Sequence, residues 1–273
     1  MVQQNLTNKP LPPFAIPLVL GFWSAMLVTF FNVISSLLMI PSWFRNPITP
    51  WDGIESYAST FDFFQIASML PGFLVVIPFL PMMAAIHYSS PPERRIFSML
   101  GIAFAGISVA MLSFQYYSQF TVVRYNLSTS GEQQGLGLFV LGNPHSFFWP
   151  LETLGYGFMG LSTLFAGFVF STGVLERRIR GLFIANGVLA IAGILAYLLE
   201  VPTLAVLSGL ALWTLIFPAA SILLIINFRR KMSIFSIIGG SGGLLERAPP
   251  VPTNPHPFLL RSDKDEILGR RRQ

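Results

Sequence analysis

Residues 64–120 read FQIASMLPGFLVVIPFLPMMAAIHYSSPPERRIFSMLGIAFAGISVAMLSFQYYSQF. Two apolar runs, 64–87 and 97–120, flank a short turn holding Pro91, Pro92, Glu93, Arg94 and Arg95. A helix rising about 1.5 Å per residue needs about 20 apolar residues to cross a hydrocarbon core about 30 Å thick. Each run is long enough, and the turn between them is too short for anything but a helical hairpin. The stretch therefore reads as two antiparallel membrane helices.

The rest of the chain repeats this pattern. Runs at 14–40, 147–174, 181–199 and 203–228 are each apolar over a crossing length, which predicts an all-α, polytopic bundle of six spans. The composition agrees. Over 273 residues, 53% are hydrophobic and only 11% charged, whereas a water-facing surface calls for about 25% charged residues. The predicted organisation is a cytoplasmic segment at 1–13, a bundle at 14–231 and a cytoplasmic, largely disordered tail at 232–273. Span one has too long an apolar core for a cleaved signal peptide and is read as retained.

Orientation follows from the arginines. Arg94 and Arg95, then Arg177, Arg178 and Arg180, then Arg229, Arg230 and Lys231 all follow even-numbered spans. The opposite loops carry Arg45 and Arg124 against Asp52, Glu55, Asp62, Glu132 and Glu200. The positive-inside rule then places both termini in the cytoplasm. The net charge of +5 belongs to topology and the tail; it has no aromatic-and-basic groove pattern, so nucleic acid is not an expected partner. The lipid bilayer is, and a homo-oligomer is compatible with the small-residue pairs Gly101/Ala105, Gly106/Ala110 and Ala192/Ala196.

Other features organise the bundle. The second span carries Pro71, Pro78 and Pro81, each removing a backbone donor, which predicts a bent helix. The segments at 41–63 and 122–145 carry Trp43, Trp51, Tyr57 and Phe61 and form either an interfacial belt or a small cap over the bundle mouth. The sequence Glu93-Arg94-Arg95-Ile96 recurs as Glu176-Arg177-Arg178-Ile179. Topology alone demands arginine in such turns, and that reading is preferred to an internal duplication.

The chemistry-bearing patterns of soluble enzymes are absent. There is no phosphate-binding glycine loop, no HExxH and no nucleophile elbow. With no cysteine and three histidines, one of them in the tail, no cofactor or metal is expected. What stands out is polar groups within the spans. Glu152, Gln115, Tyr116 and Gln65 fall at similar depth near the outer ends of spans four, three and two, with His145 in the loop just before. Tyr156, four residues after Glu152, shares its helix face. An acid within a span is costly unless it faces a bundle interior or cavity. Two readings stay open: an outward-facing polar pocket for a small or lipid-like molecule, or hydrogen-bonded glue between helices. Asn32 and Trp213 default to packing. An enzyme using Glu152 and His145 as acid and base is the weakest alternative, since one acid and one loop histidine fall short of a catalytic set.

The run Leu154-Gly155-Tyr156-Gly157-Phe158 through Gly173-Val174-Leu175-Glu176-Arg177-Arg178-Ile179-Arg180-Gly181, with the proline-bent second span and basic inner turn, resembles the uncharacterised six-span integral membrane protein families of bacteria and archaea. The resemblance covers the bundle and not the tail. It implies a six-span architecture in a prokaryotic plasma membrane and carries no activity.

Overall fold

The computed structural model describes residues 15–45, 51–128 and 135–245. Among these every regular element is helical. Residues 1–235 form one compact unit and 236–273 a second; the bundle below is the first. Segment 1–13 falls outside the described residues, as does 246–273 of the tail expected at 232–273; residues 232–245 of that tail are helical.

The main helices are α1 (Ala15–Arg45), α2 (Ile54–Thr60), α3 (Phe64–Ala67), α4 (Met69–Tyr88), α5 (Arg95–Ser118), α6 (Arg124–Ser128), α7 (Phe148–Gly167), α8 (Gly173–Leu198), α9 (Pro202–Ala211) and α10 (Phe217–Leu245). Among the described residues five helical stretches, 16–39, 69–88, 92–128, 173–198 and 203–234, are long and apolar enough to cross a membrane. The chain is thus a multi-pass helical membrane protein. α7 matches α4 in length, at 20 residues, but holds Trp149, Pro150, Glu152, Tyr156 and four glycines. Its polarity is tolerated because it packs between α5 and α8.

Close helix approach explains the glycines. A Cβ on Gly155 would lie 2.6 Å from Leu112 of α5, and one on Gly160 would overlap Ala190 of α8. Polar seams follow the same contacts: Ser108 donates to the Gly155 carbonyl (2.8 Å), Ser162 to that of Gly101 (2.7 Å), and Asn186 to Thr163 (2.9 Å). Side chains of this kind bridge helices in lipid, where apolar contact alone supplies no preference for helix over solvent.

Helix boundaries differ from the hydropathy reading in three places, each with a backbone cause. The second span breaks at Ser68, ahead of Pro71, and α4 then runs unbroken through Pro78 and Pro81. The Ser68 carbonyl is satisfied by Ser35 of α1 at 2.8 Å, so the break is tied to the neighbouring helix. The fourth span stops at Gly167 rather than at 174, and α8 starts at once with Gly173 in the left-handed region at φ +73°. There Glu176 Oε2 accepts hydrogen bonds from the backbone N–H groups of Ser171 and Thr172 and from the Thr172 hydroxyl, taking up donors that a helix start leaves unpaired. In the sixth span, α9 and α10 are joined by a π-helical turn, Leu212–Ile216. Pro218 cannot donate to the carbonyl one turn back and its ring crowds that carbonyl, so the ladder widens immediately before it.

All three basic clusters meet at one end of the bundle, around residues 168–176. Arg94 donates to the Phe168 carbonyl at 3.1 Å, Arg180 lies over the Phe168 ring at 5.6 Å, and Lys231 pairs with Glu176 at 3.6 Å. The two copies of the Glu-Arg-Arg-Ile sequence do different work here. Arg94 caps α7, whereas Arg177, its counterpart, is exposed.

At the other end the cap is present. Trp51, Ile54, Tyr57 and Phe61 pack with Val123, Leu127, Leu136 and Val140 in a cluster of their own. Gly142 is needed because a Cβ there would overlap the Tyr57 ring. Burial pushes the Tyr57 phenol from its ordinary 10 up to about 12. Phe61 also packs against the cluster around Tyr116 and Phe148, which joins cap to bundle.

Candidate functional site

Four of the six residues singled out from the sequence sit where α5 meets α7, and three of them touch. The Tyr116 and Tyr156 hydroxyls are hydrogen-bonded to each other, and the Glu152 carboxyl lies beside them. Tyr116 is buried, with Glu152 and Tyr156 half-buried beside it. Glu152 and Tyr156 share a face of α7 by their four-residue spacing, and Tyr116 reaches both from α5. The fourth, Gln115, is buried but turns to the backbone, donating to the Phe148 carbonyl at 3.2 Å. It fixes the start of α7 rather than joining the acid.

The other two stand apart. His145 is exposed in the loop, its backbone N–H bonded to Asn143 Oδ1 at 2.9 Å in a tight turn. Gln65 belongs to α3, and its side chain lies outside the described residues.

Around the three polar groups the walls are aromatic. Trp213, in the π-helical turn, meets Tyr156 edge to face at 5.1 Å and stacks on Phe217 at 6.1 Å. On the far side Tyr116 lies against Gly72 of α4, where a Cβ would sit 3.7 Å from its ring. The cluster thus draws on α4, α5, α7 and the α9–α10 junction. Phe148, Phe61, Phe120 and Leu141 pack in the same apolar cluster as Tyr116.

A carboxyl beside a hydrogen-bonded pair of phenols gathers one acid and two O–H groups from two helices, and only one of the two phenol protons is used in the bond between them. The acid and the other phenol proton are the groups that a ligand's polar part can meet.

Trp213, read from the sequence as packing, belongs to the main hydrophobic core, and a π-helical turn unreadable from hydropathy sets it against Tyr156. Gln119, at the same outer end of its span as Gln115 and Tyr116, belongs to the neighbourhood as the sequence reading expects. Three buried side-chain atoms toward the cap have no partner among the described residues: Gln119 Oε1, Ser146 Oγ and Trp149 Nε1. Gln119 also lies in a π-helical turn, Gln119–Val123, and its amide nitrogen donates to the Phe139 carbonyl at 2.8 Å. Asn32 of α1 is wholly buried, and both amide atoms lack partners. Unpartnered buried polar atoms are few in folded proteins, and each one asks for a water or a ligand. No group of three or more metal-ligating side chains occurs among the described residues.

No family model, no curated protein and no solved structure matches the chain.

Proposed function

We propose that this chain is a six-span plasma-membrane protein of prokaryotic type, with both termini cytoplasmic, that binds or transports a small or lipid-like molecule through a polar site opening to the outer side. The reading takes α7 as the sixth crossing. A 20-residue helix rises about 30 Å, and its polar residues are shielded by α5 and α8. The three basic clusters at one end of the bundle support the cytoplasmic assignment.

The observation that carries the functional reading is the Tyr116–Tyr156 hydrogen bond with the Glu152 carboxyl beside it. Helix glue needs one donor and one acceptor. Here an acid and two phenols from two helices are gathered beside Trp213, and unpartnered polar atoms continue from Trp149 toward the cap. A ligand with a hydrogen-bonding group would meet the carboxyl and the phenols and rest its apolar part on the aromatic wall. The arrangement offers no nucleophile activated by a base, which weighs against an enzyme.

A second reading, an accessory protein acting through helix contacts, has one specific support. A Cβ on Gly106 would meet nothing within 4 Å, and Ala110 one turn on is exposed. The other small residues of α5, α7 and α8 are largely used inside the bundle.

The test uses the absence of native cysteine. A single cysteine at position 152 should react with a water-soluble thiol reagent added outside, and Glu152→Gln should fold while losing binding or transport. No labelling, combined with clear destabilisation by Glu152→Leu, would reject the pocket and leave Glu152 as structural glue.

A further inference from the structure

At the inner end of the bundle, away from Glu152, α1 and α10 diverge along a groove of about 640 Å³ lined by Phe22, Met26, Ile225, Ile226, Arg229 and Arg230, with Ser233 and Ile234 below. The two helices meet beside it where Phe228 packs against Gly21, a Cβ on which would lie 2.5 Å from the phenyl ring, and again where Thr29 donates to Ser221 at 2.8 Å. Gly21 and Phe228 face the core while Met26 and Ile226 face outward, so the groove lies on the lipid-facing side of the Gly21–Phe228 contact.

We propose that the groove binds one anionic phospholipid, with an acyl chain along Phe22, Met26, Ile225 and Ile226 and the phosphate held by Arg229 and Arg230. Spacing supports the match. Arg229 and Arg230 follow Ile225 and Ile226 by four residues, one turn or about 6 Å along the helix, so the apolar and cationic parts form one continuous strip. Charge supports it further. Both arginines are exposed, and the one ion pair among the described residues, Lys231 with Glu176, leaves them to an outside anion. A guanidinium binds phosphate through paired N–H donors, which a zwitterionic headgroup offers less freely because its own cation competes. A basic strip beside a membrane helix on the cytoplasmic side is where anionic lipid gathers. The proposal rests on the chain being membrane-embedded and not on the Glu152 site.

The full-length protein would be purified in detergent and its retained lipid counted by native mass spectrometry after mixing with phosphatidylglycerol or phosphatidylcholine. One phosphatidylglycerol per chain should be retained, at least fivefold over phosphatidylcholine. Arg229→Gln with Arg230→Gln should remove that preference, and the double lysine variant should restore part of it. Ile226→Trp, which fills the apolar strip and leaves both charges, should also reduce retention. Equal retention of both lipids, or retention unchanged in the glutamine variant, would overturn the proposal. So would full competition by soluble glycerol phosphate, which would make this a phosphate site without a lipid. Phosphatidylglycerol binding that emerges only after deletion of 246–273 would give the groove to the chain's own tail, and a dimer that dissociates in the glutamine variant would give it to a second copy.

Discussion

Tyr116 of α5 and Tyr156 of α7 share a hydrogen bond between their hydroxyls, with the Glu152 carboxyl beside the pair. Two helices are therefore joined through a pair of phenols, and removing either hydroxyl breaks the bond.

Tyr116→Phe should lower stability in detergent by about 1 to 2 kcal/mol, within the range measured for polar contacts between membrane helices. Tyr156→Phe should cost a similar amount, since it removes the other partner of the same bond. A double-mutant cycle read by thermal or denaturant unfolding should show coupling, because the two phenols share one bond. Additive losses would mean that they act independently.

Gly160 and Gly106 should respond oppositely to alanine. A Cβ at Gly160 overlaps Ala190, whereas one at Gly106 meets open space. Gly160→Ala should destabilise the bundle by about 1 to 3 kcal/mol through overpacking. Gly106→Ala should be neutral or stabilising, by up to about 1 kcal/mol, as a helical glycine is replaced. Parallel melting curves of the two variants check this. A large loss at Gly106 would reveal a close contact between copies.

The cap should loosen at high pH. Tyr57 is raised from 10 to about 12 in the folded protein, so the neutral phenol is favoured by folding. Its contribution is complete below pH 10 and is lost as pH rises toward 12. Protease sensitivity of the cap should increase through that window, and Tyr57→Phe should flatten the dependence. An unchanged profile in Tyr57→Phe would assign the effect to other groups.

Topology separates a crossing α7 from one that does not cross. Reporter fusions within 122–145 should read external, and fusions after Arg180 and after Lys231 should read cytoplasmic. The same side for 122–145 and for Arg180 would mean that α7 lies within the membrane without spanning it.

The hairpin at 64–120 and the helical membrane class were legible because apolar length is a local property. The arginine clusters were legible as a set for the same reason. What escaped were features created by backbone interruptions. Ser68, Gly173 and the π-helical turns move boundaries by several residues, and hydropathy is nearly blind to them. The acid was recognised from its cost in lipid, and Tyr156 from its four-residue spacing. Tyr116 was named beside Gln115, yet nothing local tells that the tyrosine turns to the acid while the glutamine turns to the Phe148 carbonyl. Trp213 was out of reach, since the contact that gives it meaning crosses two helices and depends on a widened turn.

That widened turn at Leu212–Ile216 has a consequence for heredity. A π turn accommodates one residue more than the α turn it replaces, so α9 and α10 are out of phase by one position along a single continuous rod. Below the turn the enclosed side chains recur as Phe217, Ala220, Leu224 and Phe228, while at the turn itself two neighbours, Leu212 and Trp213, are enclosed together. A one-residue deletion inside 212–216 would restore the ordinary helix and swing α9 by about 100° relative to α10. Substitutions there should be tolerated more readily than deletions, and descendants that have lost the extra residue should have lost the tryptophan's meeting with Tyr156 as well.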